Sequence, residues 1–250
     1  MEKKYKVSPS QLNQFYQCPL KWKLLHLDRV RITEVKNPKK DLGRNIHEII
    51  ASYYKNIGNN PTPKQIEYVA NACFNTEFEP YLTDYKTQAQ EMLKNFINFE
   101  KSRLNNYVKP ILIEKELEDE DFRGVIDALF LYPQLKLAHI LDWKGGALMN
   151  LTDVERRQGK IYERLGYSNN VIPPNFTTKI SFVVLRNGQV LDLPFTTNTW
   201  LDEQKRRMCF IIKTGRFPKI RSPLCNWCEC QLACEFEGVK LWNDIKQIAI

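Results

Sequence analysis

Long apolar runs are missing from this sequence. The segments Ile180–Leu185 and Phe210–Ile212 are too short to span a membrane. The opening residues Met-Glu-Lys-Lys-Tyr-Lys lead into no apolar stretch of the kind that a signal peptide needs. We therefore expect a cytoplasmic protein with no membrane partner. Internal repeats, low-complexity tracts and recognisable linkers are also missing, so the sequence predicts a single domain over residues 1–250.

Acidic residues are fewer than basic ones. The chain of 250 residues has 37 Lys and Arg but only 29 Asp and Glu, which gives a net charge of +8. Such an excess favours a polyanionic partner such as nucleic acid. Because 43% of the residues are hydrophobic, the chain can bury a substantial core and does not depend on disulfides to fold.

Cysteine is unevenly distributed. Three of the seven cysteines stand alone in the sequence, whereas Cys225, Cys228, Cys230 and Cys234 lie within ten residues. A secreted disulfide scaffold would spread its cysteines along the chain. In an intracellular protein, this density indicates ligation of a metal or an iron–sulfur cluster by thiolates.

Helices are expected mainly in the first hundred residues. The segment Ser8-Pro9-Ser10-Gln11 combines an N-cap, a proline at the first helical position and a partner for a capping box, and Pro19 interrupts this helix. Apolar residues at helical spacing predict further helices at 41–55, 64–78, 87–104, 153–167, 199–213 and 239–248.

Strands are expected after Pro110. Short β-rich segments between acidic or proline-containing turns predict strands at 111–117, 122–131 and 135–143. Two more segments, 179–185 and 189–193, flank Asn187-Gly188, a dipeptide that favours a two-residue hairpin turn. The chain thus divides into a helical region at 41–106 and a sheet core at 110–195.

Two acidic residues lie on neighbouring predicted strands. Because side chains alternate along a strand, Asp142 and Lys144 project from one face, and Leu141 and Trp143 from the other. An antiparallel neighbour would bring Asp127 beside Asp142. Two adjacent carboxylates repel unless a cation lies between them, and hard oxygen ligands suit Mg²⁺ or Mn²⁺. Lys144 would then orient or activate a water and stabilise negative charge on a phosphate.

Two predicted helices supply further candidates. His47 lies beside the apolar stripe of the 41–55 helix, where it can reach the rim of a site, and Gly43 leaves space one turn earlier. Gln158 and Tyr162 share a face of the 153–167 helix. This helix also carries basic residues that could bind a phosphate backbone, although, taken alone, an ordinary solvated basic helix explains them better: Arg157, Lys160 and Arg164.

The cysteine-rich segment supplies three thiolates, from Cys225, Cys228 and Cys234, and needs a fourth. Cys230 is the nearby candidate and would complete a local zinc knuckle. Cys18 is the distant candidate and would tie the two ends of the chain together. Four thiolates hold either Zn²⁺ or an iron–sulfur cluster, and the spacing alone does not decide between them.

The order of these motifs resembles that of a known family. In chain order, the motifs are Cys18-Pro19, Gly43 to His47, Gly124 to Asp127, Asp142-Trp143-Lys144, Gln158 to Tyr162 and Cys225/Cys228/Cys234. Together they resemble the RecB-like branch of the PD-(D/E)xK nuclease superfamily. The resemblance is in particular to the iron–sulfur members: the AddB nuclease domain and the CRISPR-associated exonucleases with a four-cysteine cluster. The resemblance spans residues 8 to 237.

The resemblance implies a fold and a cluster. The fold would be α/β of the α+β type, with a central mixed sheet flanked by helices. The ends of the chain, 8–27 and 222–237, would be joined by a four-iron, four-sulfur (4Fe-4S) cluster. Its ligands would be Cys18, Cys225, Cys228 and Cys234.

The resemblance also implies a catalytic site. His47, Asp127, Asp142 and the main-chain carbonyl of Trp143 would bind the Mg²⁺ or Mn²⁺ ion. The catalytic lysine would be Lys144, and the residues that contact the substrate strand would be Gln158 and Tyr162. Some relatives use a further acid on the first strand, which would be Glu114 or Glu116.

We therefore predict a metal-dependent deoxyribonuclease that acts on DNA single strands or strand ends as an exonuclease. No G-x4-G-K-[ST] motif is present, so unwinding would come from a partner such as a helicase, or a recombination or CRISPR protein. The rival function is a non-catalytic nucleic-acid-binding module stapled by zinc, which would not need Asp127, Asp142 and Lys144. A redox protein using Cys225 and Cys228 would need a βαβ context that this segment lacks.

Overall fold

A computed structural model of the protein describes residues 6–30, 37–194 and 197–235. The described residues form two compact units. The sheet unit comprises residues 6–7 and 37–194, and the terminal unit comprises residues 8–30 and 197–235. The organisation as a single domain stays a prediction, and the helix predicted at 239–248 lies outside the described residues.

Eight α-helices and five strands are formed by the described residues. The helices are α1 (Pro9–Gln17), α2 (Pro19–His26), α3 (Pro38–Asn56), α4 (Pro63–Glu77), α5 (Lys86–Ser102), α6 (Asp153–Ser168), α7 (Asn198–Thr214) and α8 (Gln231–Glu235). The strands are β1 (Leu112–Glu118), β2 (Arg123–Tyr132), β3 (Leu137–Lys144), β4 (Thr177–Val184) and β5 (Gln189–Asp192). None of these helices is long and apolar enough to cross a membrane.

Side-chain caps fix where several helices begin. The Ser8 hydroxyl accepts the N–H of Gln11 at the start of α1, and the Gln11 side chain accepts the N–H of Ser8, as the sequence predicts. Helix α3 begins at Pro38 and not at Asp41, because the Asn37 side chain caps it and the proline occupies its first position. Helix α6 begins with a capping box between Thr152 and Glu155.

The five strands form one mixed sheet in the order β1-β2-β3-β4-β5. Strands β1, β2 and β3 are antiparallel neighbours, β3 and β4 are parallel, and β4 and β5 are antiparallel. The parallel pair is possible because α6 forms the crossover between β3 and β4. A mixed sheet flanked by helices confirms the predicted α+β fold.

Helices cover both faces of the sheet at β3. Leu141 and Trp143 belong to the apolar core that α3, α4 and α5 form against the sheet. Their neighbours in the strand, Asp142 and Lys144, project toward α6, where both contact Gln158. This is the alternation predicted from the sequence, and it brings two charged side chains together beneath a helix.

Candidate active site

Three carboxylates occupy successive positions across strands β1, β2 and β3. In the β1–β2 pair, Ile113 lies opposite Ala128 and Lys115 opposite Ile126, so Glu114 falls opposite Asp127. The β2–β3 pairing ends at Ala128 and Leu141. One step further in the same register, Asp127 falls opposite Asp142. The predicted neighbourhood of Asp127 and Asp142 is thus present, and Glu114 extends it to a third strand.

Asp127 lies at the point where β2 and β3 separate. Its carboxylate oxygen Oδ2 accepts the backbone N–H of Trp143 at 2.8 Å and so takes the place of a missing ladder bond. The side chain is buried. Burial and then the charge of Asp142 raise the pKa of Asp127 well above its usual range. A positive charge nearby is therefore strongly favoured.

His47 on α3 reaches this row of acids. Its Nδ1 lies 3.0 Å from Glu114 Oε1 and 3.5 Å from Asp127 Oδ2, and its Nε2 donates to the Trp143 carbonyl at 2.9 Å. Burial alone would lower the pKa of His47, but the charges of Asp127, Glu114 and Asp142 outweigh it and raise the pKa to about 9. In this arrangement the imidazolium occupies the place of a cation among the acids.

Close approach of α3 to the end of β3 makes this contact possible. A Cβ at Gly145 would lie 3.1 Å from Met92 Cε and 3.5 Å from the Cα of Gly43, so a larger residue would separate the strand end from the helix. The missing Cβ of Gly145 allows the Trp143 carbonyl to meet His47. A Cβ at Gly43 would meet nothing within 4 Å, so the space that the sequence predicts at Gly43 is present and open.

The donor set fits a hard divalent cation. His47, Glu114 and Asp127 form the one group of three or more His, Cys, Asp or Glu residues, among those described, whose ligand atoms all lie within 4.8 Å of one another. Asp142 Oδ2 is buried and accepts no hydrogen bond, although the Lys144 ammonium lies 2.7 Å away. Carboxylates with an imidazole suit Mg²⁺ or Mn²⁺. An unsatisfied buried oxygen is a further acceptor that a cation or its water would satisfy.

The group of possible metal ligands in the structure differs from the predicted set. The structure groups Glu114, and not Glu116, with His47 and Asp127. It places Asp142 outside that group and beside Lys144, and it uses the Trp143 carbonyl as an acceptor for His47. Glu114 has a left-handed backbone with φ of +43°, which costs a residue with a side chain about 1 to 3 kcal/mol. Such strain is typical of functional positions.

Lys144 is held by an ion pair with Asp142, a hydrogen bond to Gln158 and an aromatic ring. Its ammonium lies 2.7 Å from Asp142 Oδ2, donates to Gln158 Oε1 at 2.7 Å and lies 5.3 Å from the centre of the Phe182 ring. The side chain keeps a quarter of its surface exposed. The amine is therefore fixed in position but accessible from one side.

Gln158 bonds to Asp142, Lys144 and Tyr162. The Gln158 amide donates to Asp142 Oδ1 at 2.6 Å and lies 2.8 Å from the Tyr162 hydroxyl oxygen. Tyr162 is buried, and burial raises the pKa of its hydroxyl well above the usual range. A Cβ at Gly124 would lie 3.0 Å from Tyr162 Cε1, so the glycine on β2 admits the ring. Both side chains thus position Asp142 and Lys144 in this structure.

The basic residues of α6 are largely paired. Lys160 is buried and pairs with Glu163. Arg164 lies 2.7 Å from Asp119 and 2.8 Å from Asp121. Lys160 and Arg164 are thus neutralised by acids of the protein, and their charges are not free to bind phosphates.

The cysteines of the terminal unit meet at one cavity. A cavity of about 480 Å³ is lined by residues from both ends of the chain, including Cys18, Cys225, Cys228 and Cys234. Cys230 is only 1% exposed and packs with Leu20 and Leu24 of α2. Burial and then the charge of Cys228 raise the pKa of the Cys230 thiol to about 12. Cys230 therefore favours the neutral thiol.

Comparison with known protein families identifies the superfamily of this chain. The family described as the PD-(D/E)XK nuclease superfamily matches residues 6–235, so the chain belongs to that superfamily. A crystal structure from Eubacterium rectale, named "Putative exonuclease", covers 94% of this chain and 94% of its own at 12% identity and a TM-score of 0.48. No curated protein matches the sequence.

Proposed function

We propose that the protein is a Mg²⁺- or Mn²⁺-dependent DNA exonuclease of the RecB-like, iron–sulfur type. The observation that carries this proposal is the juxtaposition of the His47, Glu114 and Asp127 group with the Asp142–Lys144 pair. A binding module has no use for a buried row of mutually repelling acids beside a fixed lysine, because each buried charge destabilises the fold. Membership of a nuclease superfamily supports the same reaction class.

Each group of residues would have a separate role in phosphodiester hydrolysis. His47, Glu114, Asp127 and Asp142 would hold the ion. When bound, a divalent cation polarises the phosphate and lowers the pKa of a bound water, which makes that water a nucleophile. Lys144 is held by Asp142 and Gln158 so that its ammonium can stabilise the negative charge that grows on the phosphate during attack. Gln158 and Tyr162 keep the lysine and the acid in this position.

We also propose that Cys18, Cys225, Cys228 and Cys234 hold a 4Fe-4S cluster. All four line one cavity together with Cys230, but Cys230 is buried among Leu20 and Leu24, whereas the other four are partly exposed. Four thiolates suit Zn²⁺ as well as an iron–sulfur cluster. We prefer the cluster because of the family resemblance, and iron and zinc analysis separates the two.

A single preparation tests both parts of this proposal. The full chain would be purified without oxygen, its visible spectrum recorded and its iron and zinc measured. It would then be incubated with end-labelled linear DNA and with circular DNA of the same sequence, each with Mg²⁺, Mn²⁺ or EDTA. We expect a brown protein that degrades linear DNA from its ends, only with a divalent ion, and leaves circular DNA intact.

Each departure from that result has a distinct meaning. Cleavage of the circle would show an endonuclease. Binding without cleavage under every ion would favour the zinc-stapled binding module. Lys144→Ala serves as the matched control, because any cleavage that persists in it comes from a contaminant.

A further inference from the structure

One stretch of the terminal unit, residues 216–227, is positively charged and exposed. It contains Arg216, Lys219 and Arg221 and no acidic residue. All three side chains are exposed, and none forms an ion pair with any described residue. The cations of α6, in contrast, include the paired Lys160 and Arg164. Unneutralised charge that is concentrated in one segment indicates a ligand with negative charge.

The same segment ends in an exposed tryptophan. Trp227 is 86% exposed, and Leu224 and Ile220 nearby are also exposed. The backbone that carries the indole has regular structure: it belongs to a 3₁₀ helix, Pro223–Trp227, in which the N–H of Cys225 bonds to the Ser222 carbonyl at 3.0 Å. An indole presented to solvent by a fixed loop is available for stacking.

The tryptophan and two of the cations border a common space. Lys219, Arg221 and Trp227 all line the cavity of about 480 Å³ that the cysteines share. Lys219 and Arg221 form no ion pair with a described residue, and backbone phosphates carry the opposite charge. An unpaired base has an open face that fits an indole. This combination of cations and an aromatic platform is the one by which proteins bind single strands without reading their sequence. A duplex offers no free base faces for such stacking.

We propose that Trp227, Lys219 and Arg221 form a binding surface for single-stranded nucleic acid. A base stacks on the indole, and the two cations contact the phosphates beside it. The bound strand is the substrate only if the proposed nuclease function is correct, so this proposal rests on that function. It names single-stranded nucleic acid as the class of substrate. A protein partner is the other occupant that an exposed tryptophan would fit, and the experiment below separates the two.

Binding can be measured without cleavage. The full-length protein would be titrated into a fluorescein-labelled oligothymidylate of about 20 nucleotides in EDTA, with anisotropy as the readout and a series of salt concentrations. Trp227→Ala should weaken binding roughly 5- to 150-fold, with an unchanged dependence on salt, because stacking is lost and charge is not. Trp227→Phe should recover most of the affinity. Lys219→Ala and Arg221→Ala should each lower the slope of log K against log salt by about 0.7.

Matched controls lie elsewhere on the chain. Tyr68 is 76% exposed on α4, so Tyr68→Ala removes an exposed aromatic ring outside the terminal unit. Lys64 on the same helix is exposed, so Lys64→Ala removes a cation in the same way. Neither change should alter affinity or salt slope. Iron content and the visible spectrum of every variant would be recorded, because Trp227 lies between two proposed cluster ligands.

Several results would overturn the proposal. If Trp227→Ala bound with wild-type affinity, the indole would not contact the nucleic acid. A protein would then be the remaining candidate partner. An unchanged salt slope in Lys219→Ala and Arg221→Ala, together with a bleached visible spectrum, would show that these cations serve the cysteine site. The proposed nuclease activity is judged separately, because a protein that binds oligothymidylate through Trp227 but never cleaves DNA would disprove the activity and retain the surface.

Discussion

The carboxylate of Asp127 accepts the backbone N–H of Trp143 at 2.8 Å, just beyond the last backbone pair of β2 and β3. Asp127 Oδ2 thus replaces a backbone acceptor between the two strands. The same oxygen lies 3.5 Å from His47 Nδ1. Asp127 therefore supports the fold and, in the function we propose, also holds the ion. Substitutions that differ only in charge separate these roles.

Asp127→Asn should preserve the fold and lose the ion. The asparagine carbonyl can still accept the Trp143 N–H, so the free energy of unfolding in EDTA should stay within about 1 kcal/mol of wild type. Asp127→Ala should lose about 1 to 3 kcal/mol, because that N–H is left buried without a partner. Mn²⁺ affinity, measured by calorimetry, should fall about tenfold or more in both variants, since a charged ligand is gone.

Glu116→Gln is the control for this comparison, because it removes a negative charge from β1 outside the His47, Glu114 and Asp127 group. Its Mn²⁺ affinity should match that of wild type. An unchanged affinity in Asp127→Asn would remove Asp127 from the ion site.

Lys144→Ala should abolish cleavage but not binding. The lysine acts on charge that appears only during reaction, so kcat should fall about 100-fold or more while the affinity for DNA changes little. Gln158→Leu keeps the lysine but removes the acceptor that holds it, so a smaller loss of kcat at similar KM is expected. Steady-state kinetics on end-labelled DNA would check both changes. Equal loss of DNA affinity and activity in Lys144→Ala would instead mark it as a binding residue.

Gly124→Ala and Gly43→Ala should act in opposite directions on stability. A Cβ at Gly124 meets Tyr162 at 3.0 Å, so the tyrosine must move, at a cost of about 1 to 3 kcal/mol. A Cβ at Gly43 on α3 meets nothing within 4 Å, and alanine there should stabilise the helix by about 0.5 to 1 kcal/mol. Urea unfolding would compare them. Because Tyr162 contacts Gln158, Gly124→Ala should also lower kcat, which a purely structural role would not require.

The predictable part of this fold depends on local rules. Alternation along β3 predicted that Asp142 and Lys144 share a face, because a strand leaves no other arrangement for residues two apart. The predicted α3 began three residues late, although Asn37 followed by Pro38 was a readable start signal. Most other elements lie within one or two residues of their predicted bounds.

The less predictable part depends on contacts between distant residues. Glutamate does not signal a positive φ, so the sequence could not distinguish Glu114 from Glu116; only the geometry of β1 against β2 does so. Tyr162 was predicted to contact substrate, a role that stays a prediction. Its burial depends on the missing Cβ of Gly124, on a different element of the fold.

His139 should make the protein less stable in mild acid. It bonds through Nε2 to the Ser181 hydroxyl at 2.7 Å and lies opposite Lys179, with Asp192 also nearby. Burial, and then the charges of Lys179 and Arg103, lower the pKa of His139 to about 4 from 6.5. The unfolded chain therefore binds more protons between these values, and folding stability falls as pH drops from 6.5 toward 4.

The expected loss through His139 is roughly 2 kcal/mol between pH 7 and pH 5. Asp192 does not contribute in this window, because its pKa is lowered from 3.8. His47, whose pKa is raised to about 9, acts in the opposite direction in this window, and it does so in both proteins. On going from pH 7 to pH 5, the unfolding free energy of wild type, measured with urea, should therefore fall by roughly 2 kcal/mol relative to that of His139→Gln, whose amide does not titrate and can still bond to Ser181. An equal difference in both proteins would assign the pH dependence to other groups.

Cys18→Ala and Cys230→Ala should separate the two arrangements of the cysteine site. If Cys18 is the fourth ligand, its loss should bleach the protein, remove most of its iron and destabilise the terminal unit, because the tie between α2 and the cysteine-rich segment is released. Cys230→Ala removes only a sulfur packed among Leu20 and Leu24. It should retain the iron and lose about 1 kcal/mol. Iron analysis, the visible spectrum and thermal unfolding under nitrogen would check both.

The zinc arrangement predicts the reverse pattern. Cys230 would then be the ligand, so Cys230→Ala would release one zinc per chain and Cys18→Ala would be nearly silent. Replacing Cys18 by alanine leaves the backbone bonding unchanged. The N–H of residue 18 bonds to the Gln14 carbonyl at 3.0 Å, and alanine keeps that bond. Any destabilisation in Cys18→Ala therefore comes from the lost sulfur. A colourless protein with zinc, insensitive to Cys18→Ala, would show that both the fourth ligand and the metal were assigned wrongly.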